Sequence, residues 1–148
     1  MTYFFDCSAL VKLYHPELGS SRVEAIFREE DRRIVTSRLT VVELQSAFAL
    51  KVRTGQLSAD ASGSVGLRFL QDVATGALNV IAVRDLHYSA AERLIVKYGN
   101  AKRLRTLDAL QLAVALESRR TLDALAAADK TLVEIASVEG IAVIDPTV

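Results

Sequence analysis

Five short apolar runs alternate with stretches whose apolar residues recur every three or four positions, and this alternation constrains the fold most. The runs are TYFF (2–5), RRIVT (32–36), LNVIAV (78–83), the Ala-rich LDALAA (122–127) and IAVI (141–144). Each is bounded by turn or charge signals, and several are apolar on both faces, as strands covered by helices on either side must be.

Helical periodicity fills the gaps. Small residues and a helix-like stretch follow Asp6. Residues 21–30 carry Val23, Ile26 and Phe27 after a Ser21-x-x-Glu24 capping box. Residues 40–53 align Val41, Leu44 and Phe48, with Gly55 as a stop. Residues 58–74 read as helix despite Gly63 and Gly66, so two helices fall between the second and third strands. Residues 86–98, 107–118 and 130–138 complete the set. Strands alternating with helices imply βαβ units and a mostly parallel sheet of about five strands. No repeat or linker interrupts the pattern, and residues 1–148 read as a single domain.

Four acids stand at the junctions of this pattern. Asp6 ends the first strand, Glu43 completes Thr40-Val41-Val42-Glu43, Asp108 sits in the first turn of a helix, and Asp129 precedes another. Each has a local explanation, because carboxylates cap helices and favour their N-terminal ends. Together they mean more. In a parallel α/β sheet the strand ends that feed helices lie along one edge, where such folds bind ligands. Carboxylates gathered there repel and raise one another's pKa. A hard divalent cation, Mg²⁺ with Mn²⁺ as a substitute, relieves that repulsion with oxygen ligands. Its chemistry is a bound water acidified to hydroxide for in-line attack on a phosphodiester.

The blocks that carry these acids are D-x-S-A-L-V-K-L-Y at Asp6, T-V-V-E-L at Glu43, L-R-T-L-D-A-L-Q-L-A at Asp108 and A-D-K-T-L at Asp129. In this order and together they resemble the PIN-domain ribonucleases, most nearly the VapC-type toxins of prokaryotic toxin–antitoxin pairs. The resemblance implies a PIN-like three-layer α/β/α fold and an Mg²⁺-dependent endoribonuclease. It implies Asp6, Glu43, Asp108 and Asp129 as catalytic and metal-binding acids, with Ser8 and Thr106 as supporting polar groups. A homodimer, and a cognate antitoxin that places a basic residue in the acidic pocket, are implied as well. One position departs from the pattern: Ala127 stands two residues before the fourth acid, where the family carries Thr or Ser.

Charge bears on the substrate. The chain has 18 basic and 18 acidic residues, yet with four acids set aside 18 face 14, leaving a basic surface. Lys102, Arg103 and Arg105, just before Asp108, are the candidates for holding an RNA backbone. Cys7 is the only cysteine and reads as packing in a reducing compartment. His15 and His87 read as surface or cap residues, without ligand spacing. No signal-peptide pattern or membrane-length apolar run is visible, so the expected location is the cytoplasm and no membrane partner is expected.

Two other readings compete. A module that keeps the fold and binds RNA or protein without cleaving is the main alternative. An aspartyl phosphotransferase would want D-x-D after the first strand, and the third position here is Ser8.

Overall fold

Strand β1 (Thr2–Phe5) sets the layering. Successive strand side chains point to opposite faces, so Phe4 enters one buried cluster while Tyr3 and Phe5 enter another. Every neighbouring strand repeats the division. Val35 and Leu125 join Phe4, whereas Ile34, Ala124 and Ala126 join Tyr3 and Phe5. Both faces are therefore covered, which explains why the strands read as continuous apolar runs.

The computed structural model describes residues 1–148. Strands β2 (Arg33–Ser37), β3 (Asn79–Ile81), β4 (Ala124–Ala126) and β5 (Val143–Ile144) join β1 in one sheet of order β3-β2-β1-β4-β5. All four strand pairings are parallel. Helices α1 (Cys7–Tyr14), α2 (Ser20–Arg28), α3 (Arg38–Arg53) and α4 (Ala59–Ala74) cover the Tyr3 and Phe5 face. Helices α5 (Asp85–Tyr98), α6 (Thr106–Glu117) and α7 (Lys130–Val138) cover the Phe4 face. This is the parallel sheet of βαβ units that the alternation implied, in the three-layer α/β/α arrangement that the resemblance implied, with the two-helix insert between β2 and β3.

The strand order reverses between β1 and β4. Open α/β sheets bind ligands at such a switch point, beyond the carboxyl ends of the strands. Asp6 follows β1 there, and Asp129 follows β4 three residues on.

Several local expectations are corrected. α2 begins at Ser20 after Gly19, whose φ of 93° and lack of a side chain replace the expected Ser21–Glu24 capping box. A Cβ at Gly19 would come within 2.6 Å of the Pro146 carbonyl oxygen, so only glycine fits this junction. α3 starts at Arg38 because the Ser37 hydroxyl accepts from the Thr40 N–H. Glu43 therefore lies in the second turn and caps nothing. β3 and β5 are shorter than their apolar runs, since Val83 and Ile141 serve the core as loop residues. His87 caps α5 as expected but is fully buried: its Nδ1 accepts from the Arg84 N–H, and Nε2 meets Glu117 at 2.8 Å.

Candidate functional site

The switch-point crevice is built from β1 outward. Asp6 is the N-cap of α1 and accepts from the Ser8 N–H at 3.0 Å, so its local role as a cap is real. A cap alone belongs in solvent, yet Asp6 is only 5 % exposed. Burial pushes its pKa up. Hydrogen bonds from Ser8 and the Cys7 N–H oppose that, and the Asp108 charge adds to it. The Ser8 hydroxyl donates to Asp6 Oδ2 at 2.6 Å and accepts from the Ala128 N–H at 2.9 Å. One hydroxyl thus ties the end of β1 to the end of β4 and fixes the carboxylate between them.

Glu43 reaches the crevice from the second turn of α3. Burial raises its pKa to about 7, against a hydrogen bond from Gln111 and with help from the Asp6 and Asp108 charges. Gln111 holds it in place. Its Nε2 donates to Glu43 Oε2 at 2.6 Å and to Thr40 Oγ1 at 2.7 Å, while its Oε1 accepts from the Ser37 hydroxyl at 2.6 Å. Gln111 lies one helical turn beyond Asp108, so a single face of α6 presents a carboxylate and the amide that orients another. Sequence reasoning missed Gln111 and Ser37. The i,i+3 spacing of Asp108 and Gln111 in L-D-A-L-Q-L-A was the available signal.

Asp108 sits in the first turn of α6 and is 7 % exposed. Asp129 caps α7, with Oδ1 accepting from the Leu132 N–H at 2.9 Å. Arg105 spans both acids. Its Nε and Nη2 donate to Asp108 at 2.8 and 3.3 Å, and Nη2 also reaches Asp129 Oδ2 at 3.1 Å. The structure thus brings Asp6, Glu43 and Asp108 into mutual electrostatic reach and joins Asp129 to Asp108 through Arg105. No three carboxylates close on a point as metal ligands.

Among the remaining candidates, Thr106 is exposed at the start of α6 and its side chain makes no hydrogen bond to the acids. Lys102 is paired with Glu134. Arg103 is exposed and unpaired, so of the three basic residues Arg105 alone touches the acids. Ala127 is fully buried in the core, where a hydroxyl would need its own partner. Cys7 is no nucleophile, because burial and then the Asp6, Glu43 and Glu17 charges push its thiol pKa up.

The donor set is all oxygen, partly buried and electrostatically crowded, the donor chemistry a hard divalent ion prefers, but as placed the acids do not converge on one coordination point. Fold and acids together define an α/β protein with an acidic crevice at its switch point. A family model for the PIN domain matches residues 3–138, and the chain belongs to the PIN domain family.

Solved structures agree on the fold. VapC20 of Mycobacterium tuberculosis, a sarcin-ricin-loop-cleaving toxin, matches with a TM-score of 0.68 at 16% identity, over 94% of this chain and 95% of that one. FitAcB of Neisseria gonorrhoeae matches with a TM-score of 0.67 at 19% identity, over 97% of each chain. A toxin–antitoxin complex from Klebsiella pneumoniae matches with a TM-score of 0.63 at 18% identity, also over 97% of each chain. No curated protein matches the sequence. No helix is long and apolar enough to cross a membrane.

Proposed function

We propose that this protein is a metal-dependent endoribonuclease, the toxin of a toxin–antitoxin pair, with its active site at the Asp6, Glu43, Asp108 and Asp129 crevice. One observation carries the reading. Asp6 and Glu43 are held where burial and neighbouring charge raise their pKa, an arrangement that costs stability and that capping does not require. A divalent ion held by Asp6 and Asp108, with Asp129 and Glu43 beside it, would supply an acidified water and charge for the leaving oxygen.

The chain's own groups do the rest. Ser8 keeps Asp6 in one rotamer, so the carboxylate is preorganised. Gln111 occupies Glu43 Oε2 and leaves Oε1 to accept a proton, and a pKa of about 7 is matched to proton transfer near neutrality. Arg105 carries a cation beside Asp108, where a phosphodiester would lie. The toxin reading draws on the sequence blocks and on the toxin–antitoxin complexes among similar structures. An antitoxin whose basic residue enters the crevice would occupy the position Arg105 now fills. A homodimer is expected from the family resemblance alone.

The competing reading is a PIN-fold binding module without nuclease activity. It draws support from the Arg105 bridge, which puts a cation on Asp108 and Asp129, and from acids that do not converge as a metal-ligand group. Single-stranded RNA incubated with Mg²⁺, with Mn²⁺ and with excess EDTA separates the two. Cleavage that needs the ion and is lost in Asp6→Asn supports the nuclease; RNA left intact under all conditions, with the protein folded, supports the binding module.

A further inference from the structure

Beside the acid crevice, a groove of about 360 Å³ runs between α1 and α3. It starts at Ser8, which holds the Asp6 carboxylate, and at Ala128, whose N–H donates to the Ser8 hydroxyl, and passes Ala47, one helical turn beyond Glu43. Two lysines line it further on. Lys12 lies in the last turn of α1 with its side chain 7% exposed, and Lys51 lies near the end of α3 at 13%. Both ammonium groups donate to one carboxylate, Glu17, at 2.7 and 2.9 Å.

Lys12 is buried and Lys51 partly so, and Glu17 is the one carboxylate hydrogen-bonded to either; Asp145 adds only a longer-range attraction to Lys12. Three donors belong to each ammonium. Lys12 uses one on Glu17, and Lys51 uses one on Glu17 and a weak one on Gln56 at 3.4 Å. The remaining N–H groups have no protein acceptor, in a groove whose near end is lined by Ser8, the hydrogen-bond partner of Asp6.

Spacing adds a length. Asp6 and Lys12 are six residues apart along α1, and Glu43 and Lys51 are eight apart along α3. At about 1.5 Å per residue these separations are about 9 and 12 Å. A stacked strand rises about 3.4 Å per nucleotide, so the lysines lie about three nucleotides from the acids.

We propose that Lys12 and Lys51 form a phosphate subsite for the RNA strand, about three nucleotides from the bond cut at the acid crevice. Glu17 is the counter-ion that holds the pair when no strand is bound. The subsite rests on the reading of the crevice as an RNA-cleaving site.

Binding of a labelled single-stranded RNA, followed by fluorescence anisotropy in EDTA over a range of salt, tests it without cleavage. Lys51→Gln should weaken binding several-fold and flatten the log–log salt slope by about 0.7, the loss of one phosphate contact on a single strand. Glu17→Gln should act with the opposite sign, tightening RNA several-fold because both ammonium groups are released. A triad that only fastens α1 to α3 predicts a lower melting temperature for Glu17→Gln and no tightening. A methylphosphonate placed three nucleotides from the cut should reproduce the Lys51→Gln loss in the wild type and add nothing in the mutant. Unchanged slopes together with RNA that binds no tighter to Glu17→Gln overturn the subsite while leaving the nuclease reading intact. Wild type that binds no RNA at all overturns both.

Discussion

Arg105 pairs with Asp108 through two of its nitrogens, at 2.8 and 3.3 Å, and with the second of them also reaches Asp129. The guanidinium is 63% exposed on the solvent side of the crevice, so it is free to leave without disturbing the core. In this arrangement it takes the positive charge that a divalent ion would otherwise bring to the acids. Binding of such an ion means breaking these contacts first.

Arg105→Ala should therefore bind Mn²⁺ more tightly than wild type when titrated by calorimetry. Exposed pairs contribute about 0.2–1 kcal/mol each, so losing both gives a gain of about two- to thirtyfold. Weaker Mn²⁺ binding in the mutant would mean that Arg105 supports the site instead of competing for it.

Asp6 and Asp108 should respond differently to neutralisation in metal-free protein. Asp6 is buried with a raised pKa and no cation on it, so Asp6→Asn relieves strain while keeping an oxygen for Ser8. Asp108→Asn gives up the Arg105 pair and a favourable first-turn charge, the latter contributing about 0.3–1 kcal/mol. Thermal melts in EDTA should place Asp6→Asn at or above wild type and Asp108→Asn at or below it. Mg²⁺ should raise the melting temperature of wild type and of neither mutant, since only an ion bound to the folded state stabilises. An Asp6→Asn melt well below wild type in EDTA would leave Asp6 as a cap and nothing more.

The fold was legible because its sheet is buried on both sides. TYFF needed no periodicity argument: an apolar run that short and uniform fits a covered strand, and its bounds match β1. Runs at the sheet edges misled, because Val83 and Ile141 feed the core without pairing as strand. Capping patterns misled more. Thr40-x-x-Glu43 satisfies the box by residue type, yet Ser37 three residues earlier captured the helix start, which freed Glu43 for the crevice. The acids could be placed near one edge from strand order alone. Their pairings could not: the i,i+3 spacing puts Gln111 on the Asp108 face of α6, but that it reaches Glu43, and that Arg105 reaches Asp129, depends on the packing of α6 against α3 and α7.

The raised pKa of Glu43 gives metal-free stability a pH dependence of known sign. A carboxyl whose pKa is about 7 when folded and 4.5 in its ordinary state binds more protons in the folded protein across that interval. Its contribution is complete below about pH 4.5 and is lost as the pH rises through 7. Melts in EDTA at pH 5 and pH 8 should show wild type losing more stability over that range than Glu43→Gln. Equal losses would place the Glu43 carboxyl in ordinary solvent.

Gln111 offers the test of whether the crevice is built or incidental. It is 1% exposed and joins Ser37, Thr40 and Glu43 through three hydrogen bonds of 2.6–2.7 Å. Gln111→Leu keeps the volume but leaves the Ser37 hydroxyl and Glu43 Oε2 without their partner. Each buried polar group left unsatisfied costs about 1–3 kcal/mol, so the metal-free protein should lose at least that in a denaturant melt. Gln111→Glu is the sharper change. It sets a second carboxylate directly against Glu43, and in EDTA its deficit should grow from pH 5 to pH 8 as both acids ionise. Adding Mg²⁺ should recover part of the Gln111→Glu deficit, since an ion in the crevice screens the added charge, and none of the Gln111→Leu deficit beyond the wild-type gain. If Mg²⁺ treats the two variants alike, Glu43 and Gln111 lie outside the ion's reach, and the metal site reduces to Asp6 and Asp108.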